Sequence, residues 1–258
     1  MRYIFSVILS LVLAVVVASP ATARGGLPTH SQLAAALVQA CAKEVNNGAI
    51  FSPCEMWASM VGLNGKVTVV VKGGGDPWRG SRVIAMQKAN TAVLFSKNHG
   101  LALSTANLYS VVQDGGSLFG LQASNPVDTG AAYRGPAANY GTPRDPAVGR
   151  RVGGVNVFGG GLALYTRGGK FVGGLGVSGD SACADHVIVW RIRHYLHLDY
   201  LPAGVNKESY GGAIPPASGD DNIAYGAGGF SQHPYCGFGE KTVSDLPSVV
   251  SPKVSASK

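Results

Sequence analysis

Three histidines, His186, His194 and His197, crowd the apolar segment ADHVIVWRIRHYLHL near the end of the long ordered-looking part of the chain. With Trp190 they recur at roughly helical spacing and could share one face. A neutral imidazole is a metal ligand, and one lining a cleft is a normal axial ligand for haem iron. His186 and His99, the latter in the turn after the second helix, are the candidate metal ligands. His194-x-x-His197 could chelate a metal, but no third ligand is fixed by spacing. His233 sits near Cys236, a common place for a hydrogen-bonded or surface histidine.

Immediately before His186 the chain reads Gly176-Val177-Ser178-Gly179-Asp180-Ser181, a glycine-rich bend that opens into a helix. Backbone N–H groups and a helix N-terminus converging there make a site for an anion. Gly176, Ser178, Gly179, Asp180 and Ser181 are therefore candidate ligand-binding residues, with Arg150 and Arg151 as counter-charges. Ser178, Asp180 and His186 also suggest a small-molecule hydrolase or lyase. However, G-x-S-x-G requires glycine where Asp180 stands, and a helix cap is the simpler role for Ser178, Asp180 or Ser181.

Gly174-x-Gly176-x-x-Gly179, with Asp199 downstream, matches the dinucleotide fingerprint in letters only. Its strand is the second arm of a hairpin, and no strand follows the helix to complete a βαβ unit. Close helix packing and a twisted strand end account better for these glycines.

The elements that must position these residues are legible from periodicity. Ser31–Glu44 carries a helical apolar stripe, with Thr29 or Ser31 as its cap. Glu55–Leu63 and Lys66–Lys72 are strands around Asn64-Gly65, a strong hairpin signal. Ser81–Lys97 is helical, and Ser104–Gln113 is a second, short helix. Residues 115–149, rich in Gly, Pro, Ala, Tyr and Asn, form a long loop. Val152–Phe158, Leu162–Arg167 and Phe171–Val177 read as strands, and a helix runs from Asp180 or Ser181 to about Leu198. Tight hairpins make the sheet mainly antiparallel, and helices must cover it. The class is α+β.

Composition narrows the setting. Arg2, the apolar run Ile4–Val17 and the A-x-A site ending at Ala23 predict a cleaved signal peptide over 1–23, hence a periplasmic or secreted protein. No later segment is apolar enough to span a bilayer. The net charge of +7 comes from scattered Lys and Arg with no basic stripe, which argues against nucleic acid. The four cysteines predict two disulfides. Of three pairings we favour Cys41–Cys54, stapling a helix to the next strand, and Cys183–Cys236, tying the tail to the last helix.

The segment GGVNVFGGGLALYTRGGKFVGGLGVSGDSACADH resembles the signature region of the GlcG/HbpS-like family, also called the haem-degrading domain or DUF336. It is most similar to an exported branch with the ending GVSGDsxCADH and a later HPxCG box, here His233–Gly237. Trp57–Val71 resembles that family's first hairpin, and IAMQKANTAVLFS its helix. The resemblance covers residues 31–203 plus the box. It implies a five-stranded antiparallel sheet flanked by helices, profilin-like in topology, and a homo-oligomer. It also implies haem as a cofactor or ligand, in haem or iron handling or redox sensing. Binding is then a better expectation than turnover, with a non-catalytic structural or accessory homo-oligomer as the alternative. The expected organisation is a domain over 24–203, interrupted by the 115–149 loop, and a disulfide-tethered tail over 204–258.

Overall fold

The structure, a computed structural model, describes residues 26–42, 50–51, 54–98, 101–205, 222–226 and 232–250. The expected signal peptide and His99 lie outside the described residues. Helix α1 (His30–Cys41) begins at Thr29 in a reciprocal capping box with Gln32. Strands β1 (Trp57–Gly62) and β2 (Val67–Lys72) form the first hairpin. Its turn puts Gly65 at φ +76°, a left-handed conformation that suits glycine. Helix α2 spans Arg79–Leu94, and a four-residue turn of helix, α3 (Thr129–Ala132), interrupts the long insertion. Strands β3 (Gly161–Tyr165) and β4 (Phe171–Ser178) precede helix α4 (Ala182–Tyr195), which Ser181 caps by accepting from the Ala184 N–H.

The sheet is antiparallel, in the order β2-β1-β4-β3. A small parallel pair, β5 (Ala224–Tyr225) and β6 (Gln232–His233), lies apart from it. The class is α+β as read from the sequence, but the main sheet has four strands among the described residues, not five. Val152–Phe158 does not become a strand. Gly153 and Gly154 adopt φ +68° and +78°, which breaks the pleat. Side chains of α2 then take the hydrogen bonds a neighbouring strand would supply. Asn90 Nδ2 donates to Gly154 O (2.8 Å), and Thr91 Oγ1 accepts from the Asn156 N–H (2.9 Å). Ser104–Gln113 likewise resolves into two 3₁₀ turns, Thr105–Leu108 and Ser110–Val112.

Both sheet faces are covered, which is why β1 and β4 are buried along their whole length. Ala58, Met60, Leu175 and Val177 pack with α1 and α4 on one face. Trp57 and Val61 pack with Val83, Ala85, Met86 and Ala89 of α2 on the other. Here the G-x-G-x-x-G pattern finds its cause. A Cβ on Gly174 would lie 2.1 Å from Ala89 O, and one on Gly176 would lie 2.0 Å from Ala85 O. A Cβ on Gly179 would meet Glu55 O at 2.4 Å. These glycines let α2 and the approach to β1 rest on bare backbone.

The insertion is pinned to the α2 face. The buried Arg82 guanidinium pairs with Asp145 (Nε–Oδ2 2.9 Å), donates to Ala132 O (2.7 Å) and lies 3.7 Å over the Tyr140 ring. Both disulfides pair as expected, Cys41 with Cys54 and Cys183 with Cys236. The tail docks on α4, where Trp190 Nε1 donates to Pro247 O (2.8 Å).

Candidate functional site

The start of α4 is where the chemistry collects. Gly159, Gly160 and Gly161 thread between α2, α4 and the Thr105–Leu108 turn. A Cβ on Gly159 would lie 2.5 Å from Ala182 O, and one on Gly160 would lie 2.9 Å from Lys88 Nζ. Lys88 and Asp185, both buried, form an ion pair at 2.7 Å, and Lys88 Nζ also donates to Val177 O (3.1 Å). Burial pushes the Asp185 carboxyl up to about 6 against the opposing pull of Lys88. Asp185 Oδ1 additionally accepts from the Asp180 N–H (3.1 Å).

One turn beyond Cys183, His186 is wholly buried beside Trp190, with ring centroids 6.2 Å apart. Neither of its ring nitrogens has a hydrogen-bond partner among the described residues. Burial first, then the neighbouring His233, Arg193 and Lys88, hold it well below the ordinary histidine range. It is therefore a neutral imidazole with a free lone pair.

Over it lies the box that follows β5, held by Cys183–Cys236. His233 is buried, and its Nδ1 bonds Pro234 O (2.8 Å), which fixes the proton on Nδ1 and the lone pair on Nε2. Nε2 faces the Gly159 N–H at 3.4 Å. Burial pulls His233 down to about 4, opposed by the Pro234 bond. Aromatic rings surround the box. Tyr109 contacts His233 (5.3 Å) and Phe158 (6.0 Å), and Tyr235 stacks on Tyr225 (5.1 Å). Phe158 and Tyr235 are exposed.

The other candidates separate. The Ser178, Asp180, His186 triad is corrected: the Asp180 carboxylate accepts from the Ile50, Phe51 and Ser181 N–H groups, and His186 bonds neither residue. Those contacts also turn two of the bend's own N–H groups, Asp180 and Ser181, toward carboxylates of the chain. Arg150 and Arg151 stand elsewhere. Trp57 pairs with Ser178 and Gly62 with Gly173, so the bend and the Asn64–Lys66 turn sit at opposite ends of β1, about 17 Å apart. Arg151 Nε donates to Asn64 O (2.8 Å) at the far end. There Arg150 and Arg151 line a cavity of about 580 Å³ with Lys66, Arg134 and Asp128. His194 pairs with Asp199 (2.7 Å) and His197 is exposed, and the three make no metal-sized donor cluster among the described residues. Asp199 is used there, not at a ribose.

Sequence reasoning weighed His233 as a hydrogen-bonded or surface histidine and passed over Lys88, Tyr109 and Phe158. A signal for His233 was present: Cys183-x-x-His186 and His233-x-x-Cys236 mirror each other, so the disulfide that joins the cysteines also brings the histidines together.

No curated protein matches the chain. Among solved structures, the PduOC–haem complex shares 27% identity, covering 64% of this chain and 89% of that one, with a TM-score of 0.43. Klebsiella pneumoniae protein ORFY shares 22% (64% and 86% covered, TM-score 0.42). HbpS shares 20% (67% and 97% covered, TM-score 0.41). The family model described as "Haem degrading protein HbpS-like" matches residues 29–192, and the chain belongs to that HbpS-like family.

Proposed function

We propose that the protein binds haem, with His186 as the iron ligand and the rings of Tyr109, Phe158 and Tyr235 as the apolar surface beside it. The observation that carries this is the His186 imidazole, buried, neutral and without a hydrogen-bond partner, in a chain of the HbpS-like family. An orphaned neutral imidazole suits iron, and the iron would supply the redox chemistry. The chain's own residues keep the lone pair unprotonated, present aromatic surface, and seal the site from water while the tail box is down. The box must therefore lift about its Cys183–Cys236 tether for haem to enter. Propionates at the Gly176–Ser181 N–H groups would compete with Gly160 O, which takes the Val177 N–H, and with the Asp180 and Asp185 carboxylates. His99 remains an alternative iron ligand.

We further propose export to the periplasm or beyond after removal of residues 1–23. The product would be a profilin-like domain over 24–203 with a tethered tail over 204–258, working in haem or iron handling or redox sensing as a homo-oligomer. The two disulfides support the oxidising compartment. A second site is favoured by the Arg150–Arg151 cavity, where four cations outnumber one carboxylate and a small polyanion would be matched.

Titration of the mature protein with haemin tests the main reading. It predicts a red-shifted Soret band that saturates at one haem per chain; a spectrum identical to free haemin at every ratio would refute it.

A further inference from the structure

The mirrored boxes Cys183-Ala184-Asp185-His186 and His233-Pro234-Tyr235-Cys236 are laid on each other by the fold. Both sulfurs and a ring nitrogen of His233 lie within 4.8 Å of one another, with Cys183 and His233 buried. The Nδ1–H of His233 rests on a backbone carbonyl, as the second nitrogen of a metal-bound imidazole commonly does. His186 stands one turn from Cys183 on α4, buried and with both nitrogens unengaged among the described residues. The cysteine Cα atoms are 6.2 Å apart. Thiolates sharing a tetrahedral zinc with bonds of about 2.3 Å sit about 3.8 Å apart, within reach of side-chain rotation at that Cα spacing.

We propose that, when Cys183–Cys236 is reduced, these two thiolates and His233 bind zinc, with His186 in the fourth position. Two thiolates and two imidazoles are a donor set that selects a tetrahedral, borderline-soft ion. The disulfide and the metal site are alternative states of the same sulfurs. A dithiol reductant delivers two electrons and two protons: the S–S bond breaks, two thiols form, and the reductant closes to its own disulfide. Zinc then displaces the two thiol protons to solvent. Transfer of two electrons back to a disulfide oxidant re-forms the S–S bond and releases the ion. Either state holds the tail box over α4, so the metal would preserve the tether under reducing conditions. Haem and zinc would compete for His186, but the zinc proposal stands on the two sulfurs and His233 whether or not haem binds.

The test uses the full chain free of haem, reduced anaerobically with dithiothreitol, desalted, and titrated with cobalt(II) as a spectroscopic stand-in. The expected result is a saturating thiolate-to-cobalt charge-transfer band with intense tetrahedral d–d bands, discharged by zinc and absent from the oxidised chain. His233→Ala keeps both cysteines, and formation of its disulfide on oxidation shows that it folds. It should weaken cobalt binding by more than the roughly 10–100-fold that losing an outer-shell partner costs. His186→Ala should shift the d–d bands while keeping the charge-transfer band; unchanged d–d bands would remove His186 from the site. No saturable band in reduced wild type, or a band that survives Cys236→Ser, would overturn the proposal. Haem binding by the oxidised chain is read separately in the Soret region, so failure of one proposal leaves the other standing.

Discussion

Two buried polar regions of this molecule, one on α2 and one at the head of α4, are built to opposite rules. On the α2 face, Arg82 and Asp145 are saturated: the guanidinium pairs with the carboxylate, donates to Ala132 O and covers Tyr140, and Asp145 also accepts from the Gly141 and Ala147 N–H groups. At the start of α4, His186 is equally buried and has no hydrogen bond among the described residues. Burying a polar group without a partner costs about 1–3 kcal/mol. A fold that satisfies one buried cation so fully and leaves an imidazole bare is treating the first as scaffold and the second as a site.

Removing scaffold should therefore cost stability and leave ligand binding intact. Arg82→Ala strands Asp145 in the core, and a loss of about 3–5 kcal/mol is expected. In a domain of this size that lowers the Tm by roughly 10 °C. A thermal melt reads it; a Tm within a degree or two of wild type would erase the contrast. Gly176→Ala drives a methyl against Ala85 O, and the expected cost is about 2–3 kcal/mol by urea denaturation.

Acid should expose the α4 side. In the unfolded chain His186 and His233 take up protons below 6.5, whereas the folded chain holds His233 neutral to about 4 and His186 well below its ordinary value. The unfolded state then binds more protons, and these two residues make stability fall as pH drops from 6.5 toward 4. Asp185 works the other way: raised from 3.8 to about 6, it takes its proton first in the folded state and adds stability as pH falls through that window. Two histidines outweigh one carboxyl, so stability falls as pH drops through this window. His233→Asn should flatten that fall, and an unaltered slope would show that the histidines are not what senses acid.

Removing the site should have the opposite sign to removing scaffold. His186→Leu replaces an unpaired polar ring with an apolar side chain, so stability at pH 7 should hold or rise by about 1 kcal/mol while haem binding is lost. Arg150→Ala is the mildest change, weakening pyrophosphate at the basic cavity about fivefold with no effect on the Soret band. A loss of haem in that variant would move the site to the far end of β1.

Much of this was legible from residue order. Asn64-Gly65 marked the first hairpin, the apolar periods located α1, α2 and α4, and the cysteine spacing allowed the pairing found. The fifth strand failed because alternation in Val152–Phe158 says nothing of what will accept its hydrogen bonds, and those partners, Asn90 and Thr91, lie on α2. His186 stood out by type, but its lack of a partner is a property of three dimensions. Arg150 and Arg151 were joined to the anion bend on charge alone, and the length of β1 keeps them apart. His233 was discounted because a histidine near a cysteine is common; its meaning depends on which helix that cysteine binds.

The central claim is that the bare imidazole at the head of α4 is the iron ligand. Electron paramagnetic resonance of the ferric haem complex, recorded for wild type, His194→Ala and His186→Ala, tests it most directly. The account predicts one shared imidazole-ligated signal for wild type and His194→Ala and a different signal, or no complex, for His186→Ala. Identical signals from all three proteins would contradict it.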